Sequence, residues 1–78
     1  MSSTLWRRVL TALADESLDD AERERILALG AAHLVRTRCK QEHEPTVEDV
    51  MTAAFHEFAL LLDADTARAA LREAARRG

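Results

Sequence analysis

The stretch from position 26 to position 35 constrains this chain more than any other feature. It reads Ile-Leu-Ala-Leu-Gly-Ala-Ala-His-Leu-Val and lies inside a long helical pattern. A surface helix of a small domain normally has one apolar stripe and one polar face. Here Leu27 and Val35 belong to the main stripe, whereas Ile26 and Leu29 lie on the far side. Either three other helices wrap this segment, or a second chain covers what remains.

Length and composition favour the second chain. The 78 residues are enough for one domain, residues 1–78. Apolar residues make up 47% of the chain, but 15 of them are alanines of small volume. A chain this short buries only about 60% of its surface on folding, so as a monomer it is marginally stable. Association into oligomers is a common remedy where no disulfide is available. We therefore expect a homodimer.

Charge and cysteine content exclude several classes of protein. The formal net charge of −3 is too small for a DNA mimic and has the wrong sign for a general nucleic-acid binder. Cys39 is the only cysteine, which excludes an intrachain disulfide and fits a reducing compartment. No apolar run approaches the length of a membrane span, and the apolar run after Arg8 is too short for a signal peptide. We expect a cytoplasmic protein, and the usage of Ala, Arg, Leu and Asp suggests a bacterial source.

The pattern predicts an all-α fold, a compact domain of four helices. Only two Gly and one Pro occur, helix-forming residues dominate, and no stretch shows the alternation of a strand. The first helix is predicted over 5–14. The second begins with Ser17 as its N-cap, continues to about Glu42 and forms the long central scaffold. Gly30 in its middle costs about 1 kcal/mol relative to Ala, which indicates that another helix approaches closely there.

The second half of the chain predicts a helical hairpin. Pro45 breaks the second helix, and Thr46 caps a third helix that has Asp49 at its third position and ends near Leu62. Asp63-Ala64-Asp65 forms a three-residue turn, with Asp65 as the cap of a final helix over 66–77. Alanines dominate the apolar side of that helix, which suits tight packing against a partner helix.

Neither metal binding nor catalysis is indicated. Cys39 and His43 share a helix face, but zinc needs two further ligands, and no CxxC pair is present. The sequence contains no nucleophile elbow, glycine-rich phosphate loop or HExxH motif. We predict no metal, no cofactor and no enzymatic activity, with Cys39 as a small buried residue and His43 as a cation at a helix end.

One pattern favours DNA binding. The third helix, the short turn and the fourth helix have the spacing of a helix-turn-helix, with Ala59 where a small residue is needed and Asp63 where a positive φ is needed. The last helix would then present a set of polar residues to the groove. These are Thr66, Arg68, Arg72 and Arg76. The other interpretation is an antiparallel hairpin whose arginines face solvent.

Protein binding is the interpretation that the sequence favours most. Ile26 and Leu29 on the second helix, and Leu60 on the third, are apolar positions off the main stripes. Large exposed apolar patches usually mark interfaces. We therefore predict a small regulator, adaptor or accessory subunit that binds another protein through a helical surface. A helix-turn-helix transcriptional regulator is the alternative.

Overall fold

The computed structural model describes residues 3–14, 17–38 and 44–77. They form four α-helices: α1 is Ser3–Ala14, α2 is Asp20–Arg38, α3 is Val47–Phe58 and α4 is Ala64–Arg77. No strand occurs in these three segments. The prediction of an all-α fold is confirmed, and the helices form a compact globule with a radius of gyration of 11.6 Å.

The apolar stretch of α2 is covered by the chain itself. α2 packs against α1, α3 and α4, while α3 also packs against α4. As a result Ile26 and Leu29, on the far side of the main stripe, are only 7% and 9% exposed. Of the two possibilities that the sequence left open, wrapping by three helices is the one observed. This burial does not require a second chain.

Gly30 lies at a close approach between helices. A Cβ atom built on Gly30 would lie 2.9 Å from Cγ2 of Val9 on α1 and 3.7 Å from Cζ of Phe58 on α3. The predicted close approach is confirmed. Since a β-carbon contact below 3.0 Å forces a neighbour to move, the glycine lets α1 lie directly on α2.

The beginnings of the first two helices differ from the prediction. α1 begins at Ser3, two residues earlier than predicted. α2 begins at Asp20, and the amide of Arg23 donates to the carbonyl oxygen of Asp19 at 2.9 Å, so Ser17 lies outside the helix. The predicted end of this helix at Glu42 lies outside the described residues.

The start of α3 confirms the predicted capping box. The amide of Asp49 donates to Oγ1 of Thr46, and the amide of Thr46 donates to Oδ2 of Asp49, both at 3.1 Å. Two amide groups that the helix leaves without partners are thereby satisfied. This local signal was sufficient to place the boundary correctly.

The predicted end of α3 is wrong. The helix stops at Phe58, because Ala59 adopts a left-handed conformation with φ of 54° and the amide of Leu60 donates to the carbonyl oxygen of Ala54 at 3.1 Å. Such a left-handed residue usually is glycine. Asp63, predicted to occupy the turn, instead caps α4: its Oδ2 accepts from the amide of Thr66 at 3.4 Å. The connection therefore has five residues, 59–63.

Among the described residues, no helix combines the length and the apolar character needed to cross a bilayer.

Small side chains fill much of the core, and this includes the inward face of α4. The buried alanines on α4 are Ala67, Ala70 and Ala74.

Candidate interaction surfaces

A groove runs between α1, α2 and α4. Its volume is about 510 Å³, and its floor includes Ile26 and Leu29 from α2 together with Ala69 and Ala70 from α4. Arg8 of α1 stands at one edge. The floor is apolar and the edges are charged, an arrangement that suits an apolar side chain of another molecule held by polar contacts around it.

Acidic residues stand on the α4 side of the groove. Asp65 and Glu73 both line it, and each pairs with an arginine one turn later on the same helix. Asp65 accepts from Arg68 at 2.9 Å, and Glu73 accepts from Arg76 at 2.6 Å. Arg8, across the groove, makes no ion pair with any residue that the structure describes. Glu22 and Arg25 of α2 also line the groove and pair with each other at 3.7 Å. Arg8 is thus the charged lining residue that no described residue neutralises.

The opposite flank of α1 is apolar and exposed. Val9 is 2% exposed and Ala12 is fully buried, so these residues face α2, but Leu10 is 66% exposed and Leu13 is 41% exposed. Successive residues of an α-helix are about 100° apart, so Arg8 and Leu10 lie on opposite flanks of Val9. Since Arg8 lines the groove beside α4, Leu10 lies on the side away from it.

Helix α3 borders the side of the molecule on which Leu10 lies. A Cβ atom built on Gly30 would meet the side chains of both Phe58 on α3 and Val9 on α1, so these two residues approach the same side of α2. The backbones of α1 and α3 do not come together, because each packs on α2 separately. Phe55 lies one helical turn before Phe58. It is 54% exposed, on the side of α3 away from the buried Ala54. We refer to Leu10, Leu13 and Phe55 as the apolar face.

A further large apolar side chain is exposed beyond α3. Leu61, in the connection to α4, is 79% exposed. All the large apolar residues that are strongly exposed in the described chain therefore belong to α1 or to the segment from Phe55 to Leu61. Neither α2 nor α4 contributes one.

The helices that carry the apolar face have opposite charge. α1 contains Arg7 and Arg8 and no acidic residue, whereas α3 contains three acidic residues and no Lys or Arg. Glu57 pairs with Arg38 at 3.1 Å. Arg7 and Glu48 are exposed, and neither makes an ion pair with any other described residue.

The protein-binding residues predicted from the sequence are not free surface residues. Ile26 and Leu29 belong to the core and contribute to a surface only as the floor of the groove. Leu60 is half-buried and packs against the core. The three do not form one exposed patch, because α1 and α4 cover α2 on the side where outward-facing side chains were expected.

The arginines predicted to contact DNA share the exposed face of α4. Arg68, Arg72 and Arg76 are all exposed, but Thr66 is half-buried, and its hydroxyl donates to Oδ1 of Asp63 at 2.5 Å. The three-residue turn of a helix-turn-helix is not formed, and the left-handed residue is Ala59, not Asp63.

The described side chains form no cluster of three or more metal-ligating residues. Cys39 and His43 lie outside the described residues. The pKa of Asp63 departs from its ordinary value. Its hydrogen bond with the Thr66 side chain lowers that pKa, which is the behaviour of a helix cap.

Sequence reasoning missed the apolar face, because helical periodicity places Leu10, Leu13 and Phe55 on the apolar stripes of their helices, where core residues are expected. No family model, curated protein or solved structure matches this chain.

Proposed function

We propose that this chain is a small, non-enzymatic protein-interaction module, a regulator, adaptor or accessory subunit built as a single helical domain that acts as a homodimer. The observation that carries the proposal is the exposure of large apolar side chains on α1 and α3, two helices that both pack on α2. Single exposed leucines are ordinary, but Leu10, Leu13 and Phe55 are three large apolar side chains exposed on helices that share α2 as a neighbour, and exposed apolar patches usually mark interfaces.

The groove offers a second surface for another protein. A partner with an apolar side chain would reach Ile26 and Leu29 on the floor, and an acidic residue beside that side chain would meet Arg8. An apolar contact with a charged rim is the usual anatomy of a protein interface. In this proposal the dimer is formed on one flank of α1 and the partner is bound on the other.

The experiment is a measurement of mass in solution over a range of concentrations. Light scattering on a sizing column should give twice the 8.7 kDa chain mass at micromolar concentration, with dissociation on dilution. A mass of 8.7 kDa throughout the micromolar range would overturn the homodimer.

A matched pair of variants tests the groove. Ala69 and Ala75 are both exposed alanines on α4, but only Ala69 lines the groove. Once a partner protein is found, Ala69→Arg should weaken its binding and Ala75→Arg should not. Equal effects of the two variants would exclude the groove as the binding site.

DNA binding is the second candidate function, favoured by the exposed arginine face of α4. Arg72 makes no ion pair with a described residue and is free to meet a phosphate, but Arg68 and Arg76 are engaged by acids of their own helix. This candidate predicts binding to a random duplex that weakens steeply with salt and is lost in Arg68→Ala/Arg72→Ala. Fluorescence anisotropy at two salt concentrations measures it, and no binding at low salt would exclude it.

A further inference from the structure

We infer that the homodimer forms by placing α1 of one copy on α3 of the other, in two equivalent contacts related by a two-fold axis. The inference rests on the proposed homodimer and specifies which surfaces meet. The occupant of the apolar face is a second copy of this chain.

The placement of the exposed apolar residues is the first argument. Leu10 and Leu13 lie on the α1 flank that faces away from the groove, and Phe55 lies on α3 beyond Phe58, which approaches α1 over Gly30. The apolar face therefore has one edge from α1 and one from α3, with α2 between them. A second copy related by a two-fold axis along this face would set the α1 edge against the α3 edge twice.

Charge complementarity is the second argument. Arg7 precedes Leu10 by one helical turn, and Glu48 precedes Phe55 by two turns on the same side of α3. Both are exposed and make no ion pair with a described residue. Placing α1 on α1 would bring like charges together, whereas placing α1 on α3 brings a basic helix to an acidic one. Like charges facing each other across an interface disfavour a pairing.

The area available is the third argument. A standard interface buries roughly 800 Å² per partner, and the exposed parts of Leu10, Leu13 and Phe55 would lie within the area that a second copy covers. Homodimer interfaces are about 65% apolar, so these side chains would supply a large share of the apolar part. The groove does not compete for this surface, because it lies on the other flank of α1.

The experiment pairs opposite charges across the predicted contact. Leu10→Glu and Phe55→Lys are prepared separately and should each be monomeric, since a charge then stands in the apolar contact. When the two are mixed, they should form a heterodimer. In one of its two contacts, the introduced glutamate on α1 faces the introduced lysine on α3. The other contact is that of the wild type. Native mass spectrometry distinguishes the heterodimer by its mass, and circular dichroism confirms that each variant is folded.

The control mixture is Leu10→Glu with Leu10→Lys. If α1 lies on α3, these two substituted positions do not face each other, and no heterodimer should form. A heterodimer from the control mixture, or none from Leu10→Glu with Phe55→Lys, would overturn this arrangement while leaving a dimeric wild type intact. A monomeric wild type would instead overturn the homodimer itself.

Discussion

Nη1 of Arg36 donates a hydrogen bond to the carbonyl oxygen of Ala74 at 2.6 Å, which joins the end of α2 to the last turn of α4. The carbonyl groups in the last turn of a helix have no partner inside the helix. The guanidinium group of Arg36, on another helix, is such a partner for Ala74, and the hydrogen bond is partly buried. The contact fixes α4 against α2 and so positions the α4 side of the groove.

Removing the hydrogen bond between Arg36 and Ala74 should lower the free energy of unfolding more than removing a neighbouring surface ion pair does. Arg36→Met keeps an apolar stem but loses the donor, and a hydrogen bond from a charged group contributes about 1.5–3 kcal/mol. Arg38→Met is the matched control, because its pair with Glu57 is exposed and such pairs contribute at most about 1 kcal/mol. Urea denaturation should show the larger loss for Arg36→Met, and equal losses would contradict the role assigned to Arg36.

Gly30→Ala should destabilise the protein although alanine favours helices. The gain in helix propensity is about 1 kcal/mol, but the new methyl group would lie 2.9 Å from Cγ2 of Val9, and overpacking a core costs typically about 1–3 kcal/mol. Thermal or urea denaturation should give a net loss of about 1 kcal/mol.

The same contact predicts coupling between the two positions. In Gly30→Ala/Val9→Ala the clashing methyl group is absent, so the double variant should lose less stability than the sum of the two single losses, by about 1 kcal/mol. Stabilisation by Gly30→Ala alone, or strict additivity, would show that α1 can move away from α2 at no cost.

The cap of α4 predicts a dependence of stability on pH. The hydrogen bond with Thr66 lowers the pKa of Asp63 from 3.8, so its ionised form is favoured in the folded state. The stabilisation is therefore fully present above that value and is lost as the pH falls through the lower, folded-state pKa. The stability difference between the wild type and Asp63→Ala should be present at pH 7 and shrink below about pH 4.

Asp63→Asn is the control for this titration. Asparagine caps helices about as well as aspartate but does not ionise. Its stability at pH 7 should lie between those of the wild type and Asp63→Ala, because the cap is kept and the contribution of the charge is lost. This stability should not fall as the pH drops through the Asp63 pKa. A loss as large as that in Asp63→Ala would indicate that the charge, and not the cap geometry, stabilises α4.

The parts of the fold that local chemistry determines could be predicted from the sequence. Thr46 and Asp49 form the predicted capping box, and Gly30 lies at the predicted close approach. The end of α3 could not be predicted, because Ala59 adopts the left-handed conformation that in most helix ends is taken by a glycine.

The candidate surfaces depended on how the helices pack, which helical periodicity does not specify. Leu10 and Ile26 each lie at an apolar position of a predicted helix, yet Leu10 is exposed and Ile26 is in the core. The difference arises because α2 has neighbours on three sides and α1 packs on α2 alone among the described helices. A periodic pattern shows which residues share a face, but not how much of that face another helix covers.

The most direct test of the central claim, that the apolar face joins two copies of this chain, is sedimentation equilibrium of Leu10→Glu beside Thr11→Glu. Both substitutions place the same charge on an exposed position of α1, but only Leu10 belongs to the apolar face. We predict a monomer of 8.7 kDa for Leu10→Glu and a dimer for Thr11→Glu, as for the wild type. If Leu10→Glu remains as dimeric as Thr11→Glu, the apolar face is not the dimer interface.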